Sequence, residues 1–539
     1  MALASLGLAL SSHHTIRLPL VFCVRKVRHS HSGSVAAVES VVEPVSLVKE
    51  EGAHVPVTKH GDGAGRDSKG HQWKKLSSEE LGISTKLISK PTKTVLNGLR
   101  RKGYEVYLVG GCVRDLILKR TPKDFDVITS AGLKEVRKTF SRCDIVGKRF
   151  PICHVHVNDT IVEVSSFSTS GFGSKSSCKF GNYFSKPSGC NEHDYIRWRN
   201  CLQRDFTING LMYDPYTKIV FDYMGGMEDI RKAKVRTVIP ANVSFVDDCA
   251  RILRAVRIAA RLRFRFTREI ALSVRELSSS VLRLDKGRIL MEMNYMLAFG
   301  SAEASLRLLW RFGLLEILLP IQASYFASQG FRRRDERSNM LLSLFSNLDK
   351  LVAPNQPCHS SLWIAILAFH KALVDQPRDP LVIAAFSIAV HSGGSLFEAV
   401  EIARRISQPH DQSFDELLDP QDLDFNNALI DHVVDLAASV KAILCKLTDP
   451  CYVSQAMSKY PQAPCSDLVF IPWALSLRVS KIFECVIRGM ERGSVPRRGK
   501  KINYESLALG SLKEVRHVFA RIVFDTIYPP NPNRKHFST

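Results

Sequence analysis

The chain has 539 residues, with 75 Lys and Arg against 53 Asp and Glu, a formal net charge of +22 and a pI near 9.5. That length exceeds one ordinary domain and predicts roughly three or four units, and the basic excess suits a polyanion such as RNA or DNA. The 13 cysteines form no CxxC pair and no close Cys/His cluster, which argues against structural zinc and a disulfide scaffold and makes reduced thiols the default.

Residues 1–38 carry Arg17, Arg25, Lys26 and Arg28 but no acid, Glu39 being the first. With the Ser and His of LSSHHTIR and RHSHSGS, this reads as an organellar transit peptide, for mitochondrion or chloroplast. LGLAL is too short to span a membrane. Residues 51–72, rich in Gly, Lys, His and Asp, read as a disordered link. Transit peptide and linker are therefore assigned to 1–75.

From Ile83 to Leu99 the pattern predicts a helix interrupted or begun near Pro91, leading into a YEVYLVGG strand. A helix VRDLILK, a strand DFDVI, a helix GLKEVRKTF and strands RCDIVG and CHVHVNDTIVEVSSF follow, the last turning at Asn158-Asp159. This is a small mixed α/β unit, needing only a modest sheet. Residues 168–190, rich in Gly and Ser, read as a mobile loop.

Within this unit a Gly-Gly turn and a helix precede two carboxylates one residue apart, Asp124 and Asp126. Side chains at i and i+2 of a strand leave on one side, so a DFDVI strand would aim both at a shared pair of divalent cations. The alternative is a turn Asp plus a solvent-facing Asp at a sheet edge. Gly110 and Gly111 let the backbone approach an anion at the start of the helix, or simply make a turn. Arg114 either meets a phosphate or pairs with Asp115. Glu163, alternating with apolar neighbours, is a third acid beside the pair or a surface residue on an edge strand. The order of these segments makes phosphoryl or nucleotidyl transfer the first hypothesis.

QRDFTINGLMYDPYTKIVFDYMGGMEDI then places Arg204 and Asp205 before an expected apolar helix start, and Asp222 before Gly225-Gly226. Arg204 suits a triphosphate, because guanidinium geometry matches phosphate oxygens, or it caps locally with Asp205. From Phe245 the pattern turns helical, with Arg251, Arg254, Arg257 and Arg261 on one face and apolar residues on the others. No acid falls between Asp248 and Glu269, so nucleic acid or nucleotide is the expected partner of this stripe, against surface charge or internal pairing with Asp247 and Asp248. Beyond residue 290 helical periodicity continues through MEMNYMLAF, SAEASLRLLWRFGLLEILLP, RSNMLLSLFSNLDKLV, SSLWIAILAFHKALV and PLVIAAFSIAV. Lys371, Asp375, Arg378 and Asp379 divide the apolar 363–392 stretch, predicting two buried helices rather than a membrane span. VPRRGKK at 495–501 is an expected exposed basic patch.

Together the motifs resemble the bacterial-type poly(A) polymerase and tRNA CCA-adding enzyme family, the class II nucleotidyltransferases. LVGGCVRD with PKDFDV looks like the opening active-site signature, QRDFTINGLMYDP with FDYMGG like the second block, and DDCARILRAVRIAARL like the nucleotide-recognition helix. The likeness covers roughly residues 80–320, the rest resembling only a general helical body. It implies an α+β chain: a nucleotidyltransferase head with a small mixed sheet at 76–230, a helical neck for nucleotide and RNA at 231–345, and a helical body at 346–539.

By the same resemblance, Asp124 and Asp126 are the metal carboxylates, with Glu163 a weaker acidic position. Gly110, Gly111 and Arg114 form the phosphate-side turn, and Arg204 and Asp205 the second-block pair. Asp248 and Arg251 face the incoming base, with Arg254 and Arg257 further along that helix. The implied reaction is metal-dependent adenylate addition from ATP, with Mg²⁺, to an RNA 3′ end, tRNA among the candidates. CCA addition and a noncatalytic RNA-binding relative are the alternatives. Four departures stand out. Gln203 replaces an arginine of the usual Arg-Arg-Asp, a lost positive charge that bears on triphosphate binding, and the acid common a few positions earlier is replaced around Asn200. Asp247 replaces a glutamate, and Ser168 stands where an arginine is common.

Overall fold

The computed structural model describes residues 73–147, 151–169, 190–419, 425–489, 499 and 501–529. The presequence, residues 170–189 of the Gly/Ser-rich segment and most of VPRRGKK lie outside the described residues.

The first described element is a strand, β1 (Lys74–Ser77), which straddles the boundary expected at 75. Helix Lys90–Arg101 begins one residue before Pro91 and does not break there: Ser89 caps it by accepting from Thr92 N, and a proline in the first turn costs no hydrogen bond. Then come β2 (Val106–Val109), helix Gly111–Ile117, β3 (Asp126–Thr129), helix Leu133–Thr139, β4 (Cys143–Val146), β5 (Ile152–Val157) and β6 (Thr160–Ser166). Asn158, at φ +53°, turns β5 into β6 at the place expected.

Two expectations fail in this half. DFDVI is strand only from Asp126 onward, so Asp124 sits in the approach to β3 and not on it. The segment after Arg204-Asp205 is not a helix. It makes a single 3₁₀ turn, Thr207–Asn209, and then a hairpin of β7 (Leu211–Asp214) and β8 (Ile219–Asp222). Asp214 closes that hairpin by accepting from Tyr216 N at 2.8 Å and Thr217 N at 3.2 Å, which lets the apolar residues alternate between two buried faces.

With β1, β7 and β8 added, the modest sheet becomes eight strands in the order β1-β8-β7-β2-β3-β6-β5-β4, antiparallel except for β3 against β6. Helices Lys90–Arg101, Gly111–Ile117 and Leu133–Thr139 cover the face carrying Leu108, Val127, Val155 and Val164. Tyr107, Val109, Ile128, Met212 and Phe221 point the other way and meet Trp198 of helix Glu192–Cys201.

After residue 240 the regular structure is nearly all helical. Helix Ala250–Leu262 packs on Lys286–Leu297 and Ala302–Arg311. Further on, Ser360–Asp375 and Pro380–Ser392 are two separate buried helices, as their dividing charges predict, and no helix among the described residues is long and apolar enough to cross a membrane. The second of them packs against Leu512–Ile527, where Phe369, Phe386, Phe483 and Phe519 meet at ring separations of 5.2 to 6.5 Å.

Candidate active site

Parallel pairing of β3 with β6 brings the acids together. Val127 lies opposite Val164, so Asp126 and Glu163, one residue earlier on each strand, share the sheet face away from the three covering helices. Glu163 is also registered with His154 on β5, whose Nε2 stands 3.9 Å from its carboxylate. Asp124 is exposed on the approach to β3.

Electrostatics mark Asp126 and Glu163 as unbalanced. Burial pushes the Asp126 carboxyl above its usual range; Arg204 pulls it back and Asp124 pushes it further. The Glu163 carboxyl is pushed up to about 7, first by burial and then by the negative charge of Asp126 and Asp124. Asp126 therefore feels Asp124, and Glu163 feels both.

Gly110 makes the close approach possible. It sits at φ +81°, a backbone state that favours glycine, and begins helix Gly111–Ile117 with no side-chain cap. A Cβ added there would lie 3.4 Å from Asp126 Oδ2 and 3.5 Å from an Arg204 NH1 nitrogen. Carboxylate and guanidinium thus converge on this one backbone position. The second glycine pair, Gly225-Gly226, is a capped turn: Asp222 accepts from Gly226 N and Met227 N, each at 2.9 Å.

Arginines expected at the ligand prove to be divided between ligand and framework. The alternative for Arg114, pairing with Asp115, is the one adopted: Nε and NH2 donate to Asp115 Oδ1 at 3.0 and 2.8 Å, and NH1 to Asn209 Oδ1 at 2.7 Å. Asn209 Nδ2 donates in turn to Asp205 Oδ1 at 3.0 Å. Asp205 does not cap with Arg204; its other oxygen accepts from Arg254 NH1 at 2.9 Å, and these partners hold its carboxyl well below the usual carboxylate range despite burial. One polar chain therefore runs from the Gly-Gly helix through the 3₁₀ turn to the neck helix.

Arg257 is likewise internal. Its Nε donates to Glu292 at 3.1 Å, and Arg288 donates to the other oxygen of the same carboxylate at 2.9 Å. The Arg254 and Arg257 part of the stripe, read from sequence as facing a polyanion, is corrected to a head-to-neck and a neck-internal ion pair. Their acids, Asp205 and Glu292, come from other elements, where no local pattern on the helix reveals them. Arg251 stays closer to expectation: NH1 donates to buried Ser244 Oγ at 2.9 Å, while Asp247 and Asp248 stand at 3.7 and 3.8 Å, too far for short hydrogen bonds.

Sequence reasoning missed Asn209, Ser244 and Glu292. Asn209 lay four residues after Asp205 within a motif already singled out. Glu292, a lone acid in the apolar run ILMEMNYML, carried a signal too, since a buried acid demands a partner. Ser244 carried none. Of the departures, Gln203 is exposed, and Asn200 is buried in helix Glu192–Cys201.

Residues 106–236 match the family model described as the poly(A) polymerase head domain, and residues 263–326 match one described as a probable RNA- and SrmB-binding site of polymerase A. A curated relative, poly(A) polymerase I of Salmonella typhi, is 32% identical over 331 residues, 61% of this chain and 68% of that protein. The chain belongs to the bacterial-type poly(A) polymerase and CCA-adding enzyme family. It is accordingly a template-independent RNA nucleotidyltransferase. A CCA-adding enzyme of Geobacillus thermodenitrificans is 34% identical over 222 residues, 41% of this chain and 52% of that protein. The solved Bacillus stearothermophilus CCA-adding enzyme in complex with CTP overlaps with a TM-score of 0.40 at 22% identity, covering 75% of this chain and 94% of that one.

Among the described residues no three His, Cys, Asp or Glu side chains form a ready-made metal cage. The acids nevertheless fit Mg²⁺. It takes hard oxygen ligands, often only one or two carboxylates completed by water and substrate phosphate, and Asp126 and Glu163 are raised by burial and by neighbouring negative charge, which a cation would offset.

Proposed function

We propose that this nucleotidyltransferase adds adenylate from ATP repeatedly to RNA 3′ ends. The observation that carries this choice is reach and identity taken together: poly(A) polymerase I of Salmonella typhi is 32% identical over 61% of this chain, whereas CCA-adding enzymes reach 54% only at 26% identity, in Staphylococcus epidermidis, or 34% identity over only 41%, in Geobacillus. CCA addition to tRNA is the second reading, favoured by the higher identity, 34%, within that shorter alignment.

In the reaction the RNA 3′-oxygen bonds to the α-phosphorus of ATP while the α–β bridging bond breaks, releasing pyrophosphate and one proton. Asp124 and Asp126 would hold Mg²⁺, with Glu163 behind them. The bound metal supplies a lower pKa for the attacking hydroxyl and charge neutralisation at the phosphates. Arg204, beside Asp126 at Gly110, is the guanidinium available to the triphosphate. Asp248 and Arg251 would read the base, Arg251 being steadied by Ser244. No side chain need act as a nucleophile. The acid-free basic start of the chain supports import into a mitochondrion or chloroplast, which a fluorescent fusion of residues 1–75 would test by its location.

The deciding experiment is labelled product length with ATP alone, CTP alone and both, on unstructured RNA and on tRNA lacking its CCA end. Long ATP-dependent tails support the proposal. Products that stop after three additions and need both nucleotides would replace it with CCA addition.

A further inference from the structure

A group of cations the reaction has not used lies where the segment preceding Asp124 meets the neck. Arg120 NH1 donates to the carbonyl of Arg261 at 3.0 Å, tying that segment to the end of helix Ala250–Leu262. The exposed Lys123 ammonium stands 5.3 Å from the ring centre of Phe299 and 5.9 Å from that of Tyr295, and the Arg257 guanidinium stands 5.1 Å from the same Tyr295 ring. The acid built into this wall, Glu292, is shared between Arg257 and Arg288. Among the described residues neither Lys123 nor Arg261 makes an ion pair.

Such an arrangement is costly. Burial and the nearby charges of Arg114, Arg257 and Arg120 lower the Arg261 guanidinium, with Asp115 acting against them. Repulsion of this kind is relieved by an anion arriving from solution. A lysine merely lying its methylene stem on the neck would not need Arg261 unpaired beside it. Since Arg204 already stands with Asp126 at Gly110, the triphosphate has a cation of its own.

We infer that Lys123 and Arg261 together grip a backbone phosphate of the RNA strand close to its reacting 3′ end. This rests on the RNA-extending function above and assigns part of its substrate contact to two specific side chains.

The test uses the full chain with Lys123→Gln, Arg261→Gln and Arg261→Lys. Binding of a single-stranded oligonucleotide is measured across salt concentrations in EDTA without ATP, and KM for ATP and for RNA separately. Each Gln change is expected to weaken RNA binding by about 5–10-fold and to flatten the log–log salt dependence by about 0.7, as loss of one phosphate contact does on a single strand. KM for ATP stays within about twofold and Arg261→Lys retains most binding, because a point charge suffices for this contact. A raised KM for ATP with unchanged RNA affinity would move the pair to the triphosphate, and no change in either would make it structural; both overturn the inference. If Arg261→Gln fails to fold, Lys123→Gln, on an exposed segment, carries the result. The binding arm needs no turnover, so absence of adenylate addition would sink the proposed activity without obscuring this one.

Discussion

The acidic floor of the head and the arginine stripe of the neck are both dense in charge, yet the structure treats them oppositely. At the floor, burial raises Asp126 and Glu163, the charge of Asp124 raises both further and that of Asp126 adds to Glu163, with Arg204 as the nearby cation. Along the stripe, Arg254 and Arg257 are matched to Asp205 and Glu292 at 2.9 and 3.1 Å. Charge left unbalanced marks where a ligand belongs, whereas charge balanced from another element holds the head and neck together.

The sharpest way to break the comparison is to neutralise the floor. Asp124→Asn and Asp126→Asn are each expected to cut nucleotide incorporation by about 10³-fold or more, while RNA binding and the thermal midpoint survive; the size follows from removing electrostatic stabilisation at the reacting phosphate. Retained incorporation in both, or lost RNA binding, would be seen directly in parallel extension and binding assays. RNA binding with no incorporation in the wild type would favour the noncatalytic relative instead.

Cutting the balanced pair should have the contrary signature. Asp205→Ala strands Arg254 and Asn209, and denaturant unfolding is expected to show a loss of about 3–5 kcal/mol. The pH dependence has a definite sign. Asp205 has a folded pKa below its unfolded value near 4, so its contribution is present above that value and fades as pH falls towards the folded one. The acid limb of wild-type stability should therefore flatten in the variant.

Comparable in size but reversed in direction is Glu163. Its folded pKa near 7 exceeds the unfolded carboxylate value, so the folded state holds the proton more tightly. In metal-free protein, stability is expected to fall as pH rises from about 4.5 through 7, by up to about 3 kcal/mol, and Glu163→Gln should remove that slope. An identical pH profile for wild type and variant would contradict the reading.

The smallest effect is at Ser244. Ser244→Ala frees Arg251 NH1 and is expected to cost about 1 kcal/mol of nucleotide selectivity, read as the ratio of kcat/KM for ATP and CTP, with little change for the RNA.

These regions also differ in how far the sequence announced them. Asp126, Gly110 and Arg204 follow from local patterns: an acid next to apolar β-formers, a glycine where the backbone needs positive φ, and an arginine in a block of its own. The pairing of Arg114 with its neighbour Asp115 was one of the two readings the sequence offered, but its second partner Asn209 and the partners of Arg254 and Arg257 are 95, 49 and 35 residues away, and no spacing on the helix specifies them. The β7–β8 hairpin was hidden because its residues are apolar on both faces, and a short fully buried strand has no alternation to distinguish it from helix. In the body, periodicity was enough for the helices but not for the meeting of Phe369, Phe386, Phe483 and Phe519.

The central claim is that the floor takes up divalent cations because its carboxylates lack balancing charge. It is tested most directly by titrating Mg²⁺ into the full chain at neutral pH, without nucleotide, and following the thermal midpoint of wild type and Asp126→Asn. We expect a saturable rise in the wild type and its loss in the variant. The same rise in both, or none in the wild type, would contradict the account.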